Sequence, residues 1–316
     1  WRRGWHPETM NPKGASSRVL VVGGGPAGLE AALSLGRRGY EVALADSGSG
    51  GGRIIGEAAL PGLATWRRVL DYRLGQIDKL EQVSFFPGSK MDAEAIHEFD
   101  ASHVAIATGA TWRRDGVGRA TWRSVPGITE HSGIFTPDDI FAGAQPEVGP
   151  VLVYDDDHYY LGGLIAEVLV SAGLSVTLLT PGPEVSHWTQ NTMEQHRIEE
   201  RLLGLGVTLV CKRTLASVQS DYVVTRCNLT GKEHSLSVAS LVLVTARLPT
   251  NELYFGVAGT EEERLETLPF GLSRIGDCLA PSTIAAAVYD GHRYARELDD
   301  PPEPDGVPFR REHTLI

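Results

Sequence analysis

The feature that most constrains the fold is a glycine-rich loop between a strand and a helix. The β-branched run 19–22 leads into Gly23-Gly-Gly-Pro-Ala-Gly28, and an amphipathic helix then continues to Arg38, where Gly39 ends it. A second strand follows and ends at Asp46. Such a strand–helix–strand unit requires parallel strands joined by a right-handed crossover.

The same pattern occurs a second time. Strand 151–154 leads into the loop 155–162, a helix follows that Gly173 ends, and residues 175–179 form the next strand. Two such units predict an α/β fold with two Rossmann-like nucleotide-binding domains. The length of 316 residues agrees with two domains, each large enough for its own core.

The first glycine loop has the spacing of a dinucleotide-binding motif. Gly23 permits the tight turn, Gly25 lets the backbone approach a pyrophosphate, and Gly28 allows close packing of helix on strand. The helix, predicted from about Leu29 to Arg38, offers unpaired N–H groups and a positive dipole end to phosphates, and Pro26 lies in the loop just before it. Asp46 stands where a carboxylate accepts hydrogen bonds from the adenosine ribose. The candidate nucleotide ligands are therefore Gly23, Gly25, Pro26, Gly28 and Asp46.

The second loop departs from this motif. Asp155 and Asp157 stand where the first two glycines belong, and Gly162 stands at the third position. A carboxylate about 4 Å from a phosphate charge costs roughly 4 kcal/mol at an effective dielectric constant near 20. Thr180 and Pro181 at the next strand end offer neither an acid nor an arginine for a ribose. We therefore expect that the second domain has lost its nucleotide and binds no NAD(P)H.

Composition excludes several other classes of function. The net charge of −11 argues against nucleic acid or an anionic membrane surface as the main partner, and no apolar run is long enough for a membrane span. Cys211, Cys227 and Cys278 are far apart, so the chain offers no redox pair, zinc ribbon or iron–sulfur cluster of its own. We expect a reducing, cytoplasmic location.

Three further patterns leave alternatives open. The run Asp155-Asp-Asp-His158 could supply metal ligands, but no second cluster completes a site, so we predict none. The Trp-Arg pairs at 66–67, 112–113 and 122–123 indicate either a docking face or simple packing of arginine stems on rings. No acid, base or nucleophile stands out, and the catalytic residues are left unassigned.

Several segments in one register resemble the C-terminal region of the trimethylamine dehydrogenase family. The segments are Trp1-Arg-Arg-Gly-Trp-His-Pro-Glu8, Gly23–Gly28, Ala59-Leu-Pro-Gly62, Ala107-Thr-Gly-Ala110, Gly276-Asp277 and Gly291-His-Arg-Tyr-Ala-Arg296. The loops 155–160 and 186–195 look closest to the branch that demethylates dimethylglycine and N-methylproline.

The resemblance implies a fold and a domain layout. Both domains are expected to be three-layer domains of the glutathione-reductase type, with the second inserted into the first. Residues 14–147 and 264–316 would form the FAD- or ADP-binding domain, and residues 148–263 the degenerate second domain. Residues 1–13 would link the chain to an N-terminal barrel that carries FMN and is followed by a [4Fe–4S] centre, both absent from this sequence.

The resemblance also adds candidate cofactor ligands downstream of the first motif. Gly52 and Arg53 would lie near the pyrophosphate. Thr108 and Gly109 belong to the Ala-Thr-Gly landmark. Gly276 precedes Asp277, whose carboxylate would bind the ribityl chain of FAD. Because FAD and ADP share the adenosine and pyrophosphate contacts, the cofactor is expected to be FAD or ADP.

The function implied is part of a flavin-dependent oxidoreductase that oxidatively demethylates a secondary or tertiary amine. Its partners would be the N-terminal FMN barrel, an electron-transferring flavoprotein and a second copy in a homodimer. The chain by itself would bind the nucleotide without oxidising an amine. Two rival readings are a self-contained NAD(P)H-dependent flavin oxidoreductase and a non-enzymatic scaffold with a structural ADP.

Overall fold

The computed structural model describes residues 10–14, 17–259 and 268–300. The linker predicted for residues 1–13 is therefore described only at 10–13. The predicted end of the second domain at residue 263, and the part of the first domain beyond residue 300, lie outside the described residues.

The described residues contain strands of two to six residues. In chain order they are β1 Arg18–Val22, β2 Glu41–Asp46, β3 Val83–Pro87, β4 His103–Ile106, β5 Ala110–Trp112, β6 Ile134–Phe135, β7 Val151–Asp155, β8 Val176–Leu179, β9 Thr208–Val210, β10 Arg213–Val218, β11 Tyr222–Cys227, β12 Glu233–Ser237, β13 Ser240–Val244, β14 Arg247–Pro249 and β15 Gly271–Arg274.

The α-helices of the described residues are shorter than 15 residues. They are α1 Pro26–Arg38, α2 Ile54–Glu57, α3 Arg68–Ile77, α4 Ala93–Glu98, α5 Pro137–Phe141, α6 Leu161–Ser171, α7 Gln195–Gly204, α8 Glu252–Ala258 and α9 Ile284–Glu297. Short 3-10 helices cover Ala64–Arg67, Ile128–Glu130, His187–Thr192 and Gly276–Cys278.

A five-stranded parallel sheet of order β15-β4-β1-β2-β3 forms the first compact unit. Its central strands are buried on both faces, as expected for a parallel sheet covered by helices. Helix α1 crosses from β1 to β2, and α9 packs against α1 so closely that a Cβ at Gly291 would lie 2.1 Å from the carbonyl oxygen of Ala27.

A second five-stranded parallel sheet, of order β6-β13-β7-β8-β9, forms the second unit. Strands β7, β8 and β9 take the places that β1, β2 and β3 hold in the first sheet, so the internal repeat of the sequence is also a repeat of topology. An antiparallel sheet of order β10-β11-β12 is added to this unit, and β5 pairs with β14 in a separate two-stranded sheet. The described residues thus have the α/β fold with two parallel sheets that the sequence predicts.

The unit boundaries differ from those drawn from the sequence. The second unit consists of Ile55–Arg67 and Thr111–Leu248, and the described residues outside these two stretches form the first unit. The second unit therefore begins well before residue 148, because β6 pairs with β13 and brings the segment 111–147 into the second sheet. Both units are discontinuous in sequence.

Candidate functional site

A cavity of about 610 Å³ opens within the first unit at the carboxyl ends of β1, β2 and β4. Its volume is that of a small-molecule site, and its position is the one at which parallel α/β sheets bind ligands. Nine of the eleven predicted cofactor ligands line it: Gly23, Gly25, Pro26, Asp46, Gly52, Arg53, Thr108, Gly109 and Asp277. The other two do not line it but pack against residues that do: a Cβ at Gly28 would lie 1.8 Å from the carbonyl oxygen of Gly23, and one at Gly276 would lie 2.5 Å from the Cβ of Ala27.

The three glycines of the motif are needed for different reasons. Gly23 has φ +111°, and a Cβ there would lie 2.3 Å from the carbonyl oxygen of Ala107. A Cβ at Gly28 would lie 1.8 Å from the carbonyl oxygen of Gly23. By contrast, a Cβ at Gly25 would meet no protein atom nearer than the Cα of Gly52, at 3.9 Å. The fold itself therefore requires glycine at 23 and 28, whereas at 25 the open space belongs to the cavity.

Helix α1 presents its N-terminus to this space. Gly25 is the N-cap with extended backbone (φ −76°, ψ −174°), and it has no side chain that could cap the first turn. Pro26 begins the helix, where a missing N–H costs nothing. The first turn contains no acidic residue. The positive end of the helix dipole thus faces the cavity with no acidic side chain in the first turn of α1.

Asp46 organises the loops around the cavity. One carboxylate oxygen accepts a hydrogen bond from the backbone N–H of Gly24 at 2.6 Å, and the other accepts one from Gly48 at 2.7 Å. A carboxylate has about four acceptor sites, so it can serve a ribose as well. The sequence predicted the ribose contact and missed this second role.

Arg53 and Asp277 form an ion pair in the cavity wall, with Nε of Arg53 3.1 Å from Oδ2 of Asp277. The Asp277 side chain is only 6% exposed. Its Oδ1 accepts from the backbone N–H of Ser282 at 2.9 Å, and Arg53 also donates to the carbonyl oxygen of Ser282 at 2.7 Å. The resemblance gave Arg53 and Asp277 separate roles; the structure joins them, with both oxygens of Asp277 engaged by the protein.

The loop after β4 closes another side of the cavity. The Thr108 hydroxyl donates to the carbonyl oxygen of Thr250, and the N–H of Thr250 donates to the carbonyl oxygen of Gly109 at 2.9 Å. Cys278 lies 3.3 Å from the Thr108 hydroxyl, and burial raises the pKa of its thiol. Cys211, Cys227 and Cys278 are all free, and Cys278 is the buried one of the three.

Sequence reasoning missed one wall of the cavity. It is formed by Ser89, Lys90, Met91 and Asp92, which follow β3. Strand β3 has the short sequence Val-Ser-Phe-Phe-Pro and was not recognised as a strand. Had it been, the rule that ligands bind at the carboxyl ends of parallel strands would have pointed to these residues.

The second glycine loop is closed by its own side chains. A Cβ at Gly162 would lie 2.5 Å from Cγ of Asp155, so Gly162 packs on the end of its strand as Gly28 packs on Gly23. Asp155 is completely buried, and its Oδ1 accepts from the backbone N–H groups of Asp157 at 3.1 Å and His158 at 3.0 Å. The side chain of Asp155 thus binds the backbone of the loop that follows β7.

The sequence left open a metal site in the run 155–158 and the role of the Trp-Arg pairs. Among the described residues, no group of three or more metal-ligating side chains could hold an ion, and no helix is long and apolar enough to cross a membrane. Of the Trp-Arg pairs, only Trp122 exposes most of its ring, at 84%, while Trp112 is buried. The three pairs therefore do not form one docking face.

Comparisons with known proteins identify relatives of this chain. A family model described as pyridine nucleotide-disulphide oxidoreductase matches residues 17–145. Dimethylamine dehydrogenase from a Hyphomicrobium species is 31% identical over 99% of the chain and 46% of its own length. The solved structure of histamine dehydrogenase from Rhizobium sp. 4-9 is 45% identical, with a TM-score of 0.94 over 100% of this chain and 49% of that one.

The chain spans about half the length of these relatives. A probable N-methylproline demethylase from Rhizobium meliloti is 28% identical over 92% of the chain and 45% of its own length. This identity is lower than that to the dimethylamine and histamine dehydrogenases. The comparisons therefore do not single out the branch that the loops 155–160 and 186–195 had suggested.

Proposed function

The chain belongs to the trimethylamine dehydrogenase family, and from that premise we propose that its first unit binds the ADP moiety of a nucleotide, as free ADP or as half of FAD. The observation that supports this most directly is the space at Gly25. Gly25 lies at the N-terminus of α1 and in the wall of the 610 Å³ cavity, and no protein atom requires glycine there. A glycine at such a position indicates a ligand that approaches the backbone.

The surrounding residues fit such a ligand. The N-terminus of α1 and the loop through Gly52 would hold the phosphates, and the guanidinium of Arg53 in the cavity wall would attract them. Asp46 would accept hydrogen bonds from the ribose. The wall formed by Ser89–Asp92 would border the adenine.

The ion pair of Arg53 with Asp277 favours ADP over FAD. Asp277 is only 6% exposed, and its two oxygens already accept from Ser282 and pair with Arg53, so a ribityl hydroxyl would have little access to its remaining acceptor sites. Asp46 is more exposed, which leaves its remaining acceptor sites open to a ribose. A nucleoside diphosphate that ends at Arg53 leaves the contacts of Asp277 intact. ADP held in this way would stabilise the first unit without carrying electrons.

We propose further that the whole protein is a flavin-dependent amine dehydrogenase, of which this chain is one part. In that protein an FMN barrel and a [4Fe–4S] centre would oxidise a secondary or tertiary amine, and electrons would pass to an electron-transferring flavoprotein rather than to NAD. A homodimer in the cytoplasm is the proposed assembly. The lengths of the relatives support this division of labour, since the chain spans about half of the dimethylamine and histamine dehydrogenases to which it is similar.

Analysis of the nucleotide in the purified chain tests the proposal. We expect acid extraction and chromatography to release one equivalent of ADP, with no flavin absorption, and calorimetry to show ADP binding and no NADH binding. One equivalent of FAD instead would leave the nucleotide site in place and overturn the preference for ADP. A flavin that NADH bleaches rapidly would establish the rival reductase, and no adenine-nucleotide binding at all would remove the proposed site.

A substitution at Arg53 separates the phosphate contact from the rest of the site. We expect Arg53→Met to weaken ADP binding by about ten- to a hundredfold, since a charge-assisted hydrogen bond contributes about 1.5–3 kcal/mol. Adenosine lacks the phosphates, so its affinity should not change. Arg37→Met, at an exposed arginine of α1, is the matched control and should leave both affinities unaltered. An equal loss of ADP and adenosine affinity in Arg53→Met would contradict a phosphate contact.

A further inference from the structure

Two buried carboxylates and one imidazole occupy the glycine-loop position of the second unit. Asp155 and Asp156 are both 0% exposed, and His158 is largely buried. Nε2 of His158 lies 3.2 Å from Oδ1 of Asp156. This acid–imidazole cluster consists of Asp155, Asp156 and His158, and the proposed nucleotide site of the first unit does not involve it.

The cluster connects three segments that are distant in sequence. Oδ2 of Asp156 accepts from the backbone N–H of Ala120 at 2.8 Å. The other ring nitrogen of His158 lies 3.2 Å from the hydroxyl of Thr180, directly after β8, and the carbonyl oxygen of His158 accepts from the N–H of Trp188 at 2.9 Å. The segment 118–122, which we name the latch loop, is thus held by a hydrogen bond to a buried carboxylate.

The charges of the cluster do not balance unless it holds an extra proton. Burial, followed by the charge of Asp157, raises the pKa of Asp155 to about 7. Although burial acts in the opposite direction, the hydrogen bond to Asp156 and the charges of Asp155 and Asp156 raise the pKa of His158. A protonated Asp155 beside an Asp156–imidazolium pair makes the cluster neutral, which is the arrangement that a buried site favours.

Other charged or titratable groups face the cluster from neighbouring elements. Arg119 of the latch loop lies 3.9 Å from Asp157 and opposes the proton on His158. The Tyr154 phenol on β7 is near both Asp155 and Asp156, but burial raises its pKa far above neutrality, so it stays uncharged. The groups that change charge near neutral pH are therefore those of the cluster.

We propose that Asp155, Asp156 and His158 form a proton-controlled latch that fastens the loop 118–122 to the second sheet. As the pH rises through neutrality, loss of a proton leaves an uncompensated negative charge beside Asp156. Solvation of that charge requires the latch loop to move away. Because the closed state holds its protons more tightly than the open state, closure is favoured at low pH and is lost as the pH rises.

Opening would change a tryptophan that can be observed. The guanidinium of Arg119 stacks on the Trp188 ring, with Cζ 4.3 Å from the ring centroid, and Trp122 on the latch loop donates from its ring N–H to the carbonyl oxygen of Arg119 at 2.8 Å. Movement of the loop separates Arg119 from Trp188. We therefore expect the emission of Trp188, identified by comparison with Trp188→Phe, to follow the same pH profile as the loop.

Hydrogen exchange measured by mass spectrometry on the full chain tests the latch. After correction for intrinsic exchange rates, we expect protection of peptides covering 118–122 to fall about tenfold per pH unit for each proton lost, between about pH 6 and 8.5. Protection of the central strands should stay constant. Protection of the loop that does not change with pH overturns the proposal.

Two variants show which group is responsible. Asp155→Asn keeps the acceptor for the backbone N–H groups but cannot ionise, so the fall in protection above neutrality should disappear or shift upward by at least about one pH unit. Asp138→Asn is the matched control, because Asp138 is another carboxyl of the second unit whose pKa burial raises, and it accepts from the N–H of Trp112 at 2.7 Å. Its pH profile should equal that of the unmodified chain. If Asp155→Asn folds and retains the same pH transition, the latch is excluded. If Asp155→Asn does not fold, the pH profiles of hydrogen exchange and of Trp188 emission in the unmodified chain still test the latch, and profiles that do not change with pH exclude it.

Discussion

Gly28→Ala is expected to destabilise the first unit by about 3 kcal/mol or more and to abolish nucleotide binding. The new Cβ would lie 1.8 Å from the carbonyl oxygen of Gly23, and neither side can retreat easily. Gly23 is held in place on one side by the hydrogen bond from its N–H to the carbonyl oxygen of Ala45 at 2.7 Å. On another side it lies so close to Ala107 that a Cβ at Gly23 would be 2.3 Å from the carbonyl oxygen of Ala107. Overpacking of a fixed backbone commonly costs about 1–3 kcal/mol, and a contact this short belongs at the upper end.

Urea unfolding followed by circular dichroism measures this loss, and Gly75→Ala is the matched control. Gly75 lies in α3 of the same unit, and a Cβ there meets nothing within 4 Å. Alanine in a helix interior is favoured over glycine by about 0.5–1 kcal/mol, so this control should be neutral or slightly stabilising. If Gly28→Ala unfolds at the same urea concentration as the unmodified chain, the close packing of α1 on the glycine loop is not needed for folding.

The parts of the fold that were predicted correctly from the sequence are those encoded by local pattern. The glycine loop specified β1 to within one residue and the end of α1 at Arg38, because turn geometry and helix capping depend on neighbours in the chain. The helix begins at Pro26, which is earlier than the predicted start near Leu29. Local pattern also placed Gly162 at the position of the third glycine of the motif, the one that Gly28 occupies in the first loop. In the structure Gly162 packs on Asp155 at the end of β7, as Gly28 packs on Gly23 after β1.

The parts that were missed depend on residues distant in the sequence. Arg53 and Asp277 meet only because the sheet brings the loop after β2 and the loop after β15 together, and nothing near either residue predicts an ion pair. The unit boundary near residue 111 is set by β6, a strand of two residues that has no periodic signal of its own. Strands β10–β12 were missed because half-exposed antiparallel strands alternate weakly in this sequence.

Gly25→Ala is expected to lower ADP affinity about a hundredfold while leaving the stability of the ligand-free chain within about 0.5 kcal/mol of the original. Alanine adopts the extended backbone of Gly25 without strain, and its Cβ would meet no protein atom closer than 3.9 Å. In the proposed complex the same Cβ would occupy the space where a phosphate approaches the backbone. A clash of about 3 kcal/mol confined to the complex corresponds to two orders of magnitude in the dissociation constant.

Gly256→Ala is the matched control, because a Cβ there has a similar free distance of 3.8 Å but the residue lies in α8 away from the cavity wall. Calorimetric titration with ADP should give this control the affinity of the unmodified chain. Gly25→Ala and Gly28→Ala together distinguish two reasons for glycine in one motif. At residue 28 the fold of the protein requires glycine, and at residue 25 the ligand does. Unchanged ADP affinity in Gly25→Ala would mean that no ligand approaches this backbone, and a loss of stability in the ligand-free variant would mean that the space at Gly25 serves the fold.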